Sequence, residues 1–283
     1  MTGRIVVGLD GSANSNAAAR WALREARLRG ANLEVVTAFG MFEPDGLPGR
    51  DRLKTDREFA DACARMQHAQ LVDLPRHDVT VMTRAALGDA AKTLVAAASG
   101  ADMLVVGARG HGGVAGLLLG SVSLRCLHRA TCPVTVVPAY IDEPTAGAPV
   151  VVGVKDPASS GAALSLAVEE AGLRGTHVVA VHAVHWEPLG TELVRPSTDQ
   201  LVEWGTRLLT PAVAAAQDGR PDVTIQQLVV HGHPAHVLDE QARRADLLVV
   251  GSRGHGHLAG MLVGSVSLHM LTHALRPTTV IVG

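Results

Sequence analysis

Short apolar runs recur along this chain, separated by stretches whose composition suits helices. Arg4 to Leu9 is one of them: its β-branched residues form a continuous run that meets Asp10-Gly11-Ser12, a turn and helix-start signal, so it reads as a buried strand. Ala17 to Arg29 follows with strong helix formers throughout and stops at Gly30, a residue suited to a C-cap. The same reasoning places strands at Leu33 to Phe39, Asp78 to Ala86, Met103 to Val106 and Val134 to Val137. Helices are expected around Lys54 to Asp73, at Asp89 to Ala98 and at Val122 to Arg129. Ahead of the first of these three, Pro44, Gly46, Pro48 and Gly49 mark a segment expected to be mobile and able to fold over a ligand.

The pattern then repeats. Gly107 to Leu124, GARGHGGVAGLLLGSVSL, recurs as Gly251 to Leu268, GSRGHGHLAGMLVGSVSL, with 13 of 18 positions identical. The displacement is 144 residues there (107 to 251) and 145 at the first strands, where Ile5 to Leu9 answers Val150 to Val154. So long a period means domain duplication and not a solenoid. Second-copy strands are expected at Val150 to Val154, His177 to Ala183, Val223 to Val230, Leu247 to Val250 and Thr279 to Val282. Ala139 to Pro149, with Pro144, Gly147 and Pro149 and no periodicity, is the expected linker, which gives domains at 1–140 and 148–283. Strands alternating with helices imply right-handed crossovers and parallel sheets. The fold class is therefore α/β, with two tandem five-stranded, Rossmann-like domains of strand order 3-2-1-4-5. In such a sheet the ligand crevice lies where the winding reverses, between strands one and four. Asp10 ends strand one and Gly107 ends strand four, so both converge there.

Composition narrows the chemistry. Apolar residues make up 47% of the 283 and aromatic residues only 2%, so the core is aliphatic, as packed helices on a parallel sheet require. A net charge of -2 with interleaved signs leaves no electrostatic footprint for nucleic acid or an anionic membrane. No apolar stretch approaches the roughly 20 residues of a membrane span, and a cytoplasmic location is expected. Three irregularly spaced cysteines, Cys63, Cys126 and Cys132, read as buried free thiols.

The candidate chemistry lies in the repeated glycine loop. Gly107, Gly110 and Gly120-Ser121 are spaced G-x2-G-x9-G-S, and Gly251, Gly254 and Gly264-Ser265 repeat that spacing. Glycines after a strand are expected to turn with positive φ and to let a phosphate approach without a Cβ in the way. The helix that follows would offer its free N–H groups and dipole to an anion, with Ser121 and Ser123, and in the second copy Ser265 and Ser267, as hydroxyl donors. The alternative is a set of turn glycines with an ordinary helix cap. Gly110-x-Gly112-x-x-Ala115 also fits a loose dinucleotide fingerprint, but it follows strand four instead of strand one and lacks the acid about 20 residues on. No G-x-x-x-x-G-K-[ST] sequence occurs, which disfavours a fast P-loop ATPase. His231-x-His233-x-x-His236 has metal-like spacing but no counterpart in the first copy, where Leu87, Asp89 and Lys92 stand, so surface histidines are expected. His111 and His255, and Arg109 and Arg253, are shared by the copies and either reach a phosphate or face water. Cys132 becomes Arg276 in the second copy, so no thiol chemistry is shared.

The strand-one aspartate, the G-x2-G-x9-G-S loop and Cys132-Pro133-Val134 leading into strand five resemble the universal stress protein family, over almost the whole chain and in its tandem form. The resemblance implies a five-stranded α/β sheet and, for the branch that keeps the loop, ATP as ligand, alone or with Mg²⁺. It implies Asp10 at the ribose or adenine, Ala38 at the adenine, and Gly107, Gly110, Gly120, Ser121 and Val122 around the phosphates. In the second copy Ala183, Gly251, Gly254, Gly264, Ser265 and Val266 take those places. One departure stands out: Lys155 aligns with Asp10, and Asp156 comes one residue late. A lysine cannot accept hydrogen bonds from ribose hydroxyls, so the second copy either binds more weakly or pairs Lys155 with phosphate. The function expected is an ATP-binding regulator of the stress response without catalytic residues and with at most slow ATP hydrolysis. An ATP-dependent enzyme and a nucleotide-free scaffold are the alternatives. The resemblance also implies that Val134 to Val137 and Thr279 to Val282 pair as an intramolecular pseudo-dimer or between two chains.

Overall fold

The computed structural model describes residues 2–39, 49–71, 78–110, 119–140, 146–185, 196–252 and 263–282. The chain divides into two compact units, Met1–Ile141 and Asp142–Ile281. Pro44, Gly46 and Pro48 of the expected mobile segment lie outside the described residues, as do Pro144 of the linker, Gly254, Arg253, His255 and His111.

In the first unit the order is β1 (Arg4–Gly8), α1 (Ala13–Arg29), β2 (Asn32–Phe39), α2 (Gly49–Leu71), β3 (Val81–Leu87), α3 (Ala90–Ala97), β4 (Met103–Gly107), α4 (Ser121–Arg129) and β5 (Val134–Val137). The strands lie β3-β2-β1-β4-β5, every pair parallel. The second unit has β6 (Val150–Gly153), α5 (Pro157–Arg174), β7 (Val178–Val184), α6 (Thr198–Gln217), β8 (Ile225–His231), α7 (Pro234–Ala242), β9 (Leu247–Gly251), α8 (Ser265–Thr272) and β10 (Thr278–Ile281). Its strands lie β8-β7-β6-β9-β10, again parallel. This is the doubly wound α/β arrangement expected from the sequence. Helices cover both faces of the central strands, so Ile5, Val6, Val7, Met103, Leu104 and Val105 are fully buried.

Strand limits move by up to three residues from the sequence reading, and helix starts by up to five, for local reasons. α1 begins at Ala13, four residues early, because Ser12 caps it by accepting from the Ser15 N–H at 3.2 Å. Gly30 closes it in the left-handed conformation at φ 60. β3 begins late, at Val81, since Asp78 sits at φ 68 in a turn. Gly49 opens α2, ahead of the start expected near Lys54.

Two polar devices brace the units. In the first unit the buried Gln67 side chain donates to Thr37 Oγ1 at 2.9 Å and to the Arg84 carbonyl at 3.1 Å, while Thr37 Oγ1 donates to the Leu9 carbonyl at 2.8 Å. That chain ties α2 and β2 to the end of β1. Both units also bury a glutamate on the first helix, Glu25 and Glu170, each paired with the arginine four residues on. Pairing is what makes such burial tolerable, because an isolated buried carboxylate costs several kcal/mol. Among the described residues no helix is long and apolar enough to cross a membrane.

Cys126 and Cys132 are buried as expected, but Cys63 on α2 is only half-buried. Burial pushes the Cys126 thiol up to about 12 and also raises Cys132 and Cys63. Thiolate is the reactive form, so an aromatic disulfide reagent at pH 8 is expected to label Cys63 first in the native chain. Cys126 and Cys132 should react only on unfolding, and rapid native labelling of Cys126, mapped by peptide mass, would contradict this packing.

Candidate functional site

The crevice of the first unit forms where β1 and β4 diverge. α1 must start close above the end of β4, and it can do so because residue 107 has no side chain: a Cβ there would lie 2.7 Å from the Asn14 carbonyl carbon and 2.9 Å from the Ser15 nitrogen. A Cβ on Gly110 would meet only the end of the Asp10 side chain, which places that carboxylate against the loop. None of Gly107, Gly110, Gly120, Gly251 and Gly264 has positive φ, contrary to expectation; at Gly107 glycine is required for space, not for a left-handed turn. The positive φ of the site belongs to Gly11, at 88°, in the turn after β1. That turn lets the Ser12 N–H donate to Asp10 Oδ1 at 2.9 Å, which fixes the carboxylate beside the loop.

The base of the loop is closed by the backbone. The Gly120 N–H donates to the Ala108 carbonyl at 2.8 Å, and the Ala108 N–H donates to the Val137 carbonyl at 2.8 Å. Ser123 was expected to donate to phosphate, but its hydroxyl is buried and donates to the Gly107 carbonyl at 2.7 Å, pinning α4 to the end of β4. Ser267 does the same with Gly251 at 2.6 Å. α4 starts at Ser121, one residue before its expected start, so Gly120 is its cap and brings no side-chain acceptor. The leading N–H groups of a helix have no partner within it. Ser12, Asp89, Asp156 and Ser197 supply a side-chain acceptor to their helices, whereas Gly120 and Gly264 do not.

A cavity of about 370 Å³ occupies this crevice. Asp10, Ala38, Gly107, Gly110, Gly120, Ser121, Val122 and Ser123 all line it, as does Arg109. Val36, Ala90 and Leu94 add an apolar wall that sequence reasoning missed, since strand and helix patterns identify core residues without telling which border a crevice. Gly251, Gly264, Ser265, Val266, Ser267 and Ala183 line an equivalent cavity of about 520 Å³ in the second unit; Gly254 is outside the described residues. Lys155 lines it too, together with His182 and His185, which the sequence had not singled out. His182 stands where Thr37 stands in the first unit, and its Nδ1 lies 2.9 Å from the Val154 carbonyl. A carbonyl can only accept, so Nδ1 carries the proton. His233 and His236 have rings 5.5 Å apart, and among the described residues no group of three or more His, Cys, Asp or Glu is placed to hold a metal ion.

The sequence profile described as the universal stress protein family matches residues 1–138 and again 148–282. The chain belongs to the universal stress protein family. A universal stress protein of Mycolicibacterium smegmatis is 36% identical over 286 residues, covering 98% of this chain and 96% of its own. Universal stress protein Rv1996 of Mycobacterium tuberculosis is 34% identical over 302 residues, covering 98% and 94%. The crystal structure of a universal stress protein from Archaeoglobus fulgidus superposes with a TM-score of 0.71 at 17% identity, over 98% of this chain and 97% of that one, and so shares the fold.

The two universal stress domains brace their loop helices differently. In the first, Asp89 caps α3 by accepting from the Lys92 N–H at 2.9 Å and also pairs with Arg125 of α4. In the second, His233 and His269 occupy those positions, and His269 Nε2 lies 2.9 Å from Asp239 Oδ2. The hydrogen bond from Arg125, and then that from the Lys92 backbone, hold the Asp89 carboxyl below the usual carboxylate range. A depressed folded-state value means that this stabilisation is complete above the unfolded value of about 3.9 and is lost as pH falls through the lower folded value. The stability gap between the native chain and Asp89→Asn should therefore be constant from about pH 8 to pH 5 and close below about pH 4, read by urea unfolding at each pH. A gap still open at the acid end would contradict the pairing.

The glycine geometry predicts a second contrast. Gly107→Ala meets backbone that cannot yield and should destabilise the first unit by about 2 kcal/mol. Gly110→Ala meets only the end of the Asp10 side chain and should change stability by less than about 0.5 kcal/mol. Urea titrations of the two variants followed by circular dichroism check this, and equal effects would contradict it.

Proposed function

We propose that the first unit binds ATP as a conformational signal in the stress response, its phosphates on the Gly107-to-Ser121 loop and its ribose toward Asp10. The observation that carries this reading is the single cavity lined both by the start of α4, which has no capping side chain, and by the Asp10 carboxylate. An uncapped helix start attracts phosphate through its N–H groups and dipole. A carboxylate in the same cavity accepts hydrogen bonds from ribose hydroxyls, and charge-assisted bonds of that kind are about twice as strong as neutral ones. Between them, Val36, Ala38 and Leu94 supply an apolar wall suited to a base.

Arg109 at the rim adds positive charge for the phosphates, and Mg²⁺ is expected to travel with them. Ser123 contributes by holding α4 in place. The residues serve binding and orientation, so turnover is expected to be slow and independent of any acceptor. Calorimetry of the full chain with ATP and Mg²⁺ tests the reading. Asp10→Ala is expected to weaken the site about tenfold, the worth of one charge-assisted hydrogen bond. Gly120→Ala, whose Cβ would lie 3.3 Å from the Ala108 carbonyl oxygen, should weaken it while leaving the fold intact. No binding at millimolar ATP, or an affinity untouched by Asp10→Ala, would overturn it.

A further inference from the structure

The second unit keeps the loop closure and the helix start of the first and carries a lysine where the first has Asp10. The Gly264 N–H donates to the Ser252 carbonyl at 2.7 Å, Ser267 pins α8 to Gly251, and α8 starts without a side-chain cap. At the end of β6, however, Lys155 replaces Asp10. The neighbouring carboxylate does not restore the acid. Asp156 stands where Gly11 stands in the first unit, at φ -154 instead of 88°, and it caps α5. Its Oδ1 accepts from the Ser159 N–H at 2.9 Å and its Oδ2 from the Ser159 hydroxyl at 2.7 Å. Helix capping has thus taken the carboxylate, and among the described residues neither aspartate nor glutamate lines this cavity. The described lining also includes His182 and His185.

The described lining of the second cavity therefore favours negative charge, whereas that of the first combines an anion-seeking helix start with a carboxylate. A ribose hydroxyl is a donor well matched to Asp10. A phosphate ester at that hydroxyl offers only acceptors and negative charge, which Asp10 repels and a lysine ammonium attracts. We propose that the second unit binds a nucleotide phosphorylated at both the 5′ position and the ribose 2′ or 3′ position, its 5′ phosphate on the α8 start and its ribose phosphate at Lys155. This rests on the reading of the glycine loop as a phosphate cradle. Charge reversal at one position then separates the ligands of the two units, through repulsion in one and attraction in the other.

Adenosine 3′,5′-bisphosphate, AMP and ATP, titrated calorimetrically into the full chain, test the proposal. The expected result is one bisphosphate per chain, bound at least tenfold more tightly than AMP. Lys155→Asp should abolish that preference, Lys155→Gln should reduce it about tenfold, and ATP binding by the first unit should persist in both. Asp10→Ala should weaken ATP and leave the bisphosphate unaffected. A bisphosphate bound no more tightly than AMP by the unaltered chain overturns the proposal without any variant, as does a preference that survives Lys155→Asp or disappears with Asp10→Ala. Failure of the first-unit reading looks different: ATP binding is absent while the bisphosphate preference remains.

Discussion

The close approach of α1 to the end of β4 governs the first unit. It is possible only because Gly107 has no Cβ to meet Asn14 and Ser15, and it brings three separate parts of the chain to one crevice. The turn after β1 delivers Asp10, the loop after β4 delivers Gly110, and the backbone bond from Gly120 to Ala108 sets the start of α4 beside them. Ser123 then locks that start to the strand it leaves. An extended segment and a helix end would each be ordinary surface alone. Held this closely, they make one pocket lined by both a carboxylate and an uncapped helix start.

The second unit shows how little must change to alter the chemistry while the frame is kept. Its loop closure and serine pin are those of the first unit, with Ser252 and Ser267 in place of Ala108 and Ser123. The difference lies in the turn after the first strand. Gly11 permits a left-handed turn and leaves Asp10 beside the loop, whereas Asp156 at the same place adopts extended backbone and caps α5. A stronger helix start and a lining carboxylate compete for one residue, and capping alone is worth about 1 kcal/mol. The bracing of α4 and α8 has diverged as well, from Asp89 with Arg125 to Asp239 with His269.

Much of this was legible in the residues themselves. The 144-residue period follows from the recurrence of the glycine loop, and the strand order and the placing of Asp10 and Gly107 on one crevice follow from runs of β-branched residues and from connection rules that leave few topologies. What was not legible depended on distance between parts far apart in the chain. Spacing marks Gly107 as special, but only packing shows that the reason is Asn14 and not φ. A serine after a helix start reads as a phosphate donor until a carbonyl 16 residues back claims its hydroxyl. His182 carried no motif, and its role appears only when β7 sets it against the Val154 carbonyl, 28 residues away. The start of α1 moved for a local reason, since a serine cap extends a helix past its last obvious helix former.

The most direct measurement is the position of nucleotide in a crystal structure of the full chain grown with ATP and Mg²⁺. The expected density places phosphate oxygens within hydrogen-bond distance of the Ser121 and Val122 N–H groups and a ribose hydroxyl at Asp10. Nucleotide lying with its phosphates away from α4, or seated only in the second unit, would contradict the assignment of the cradle.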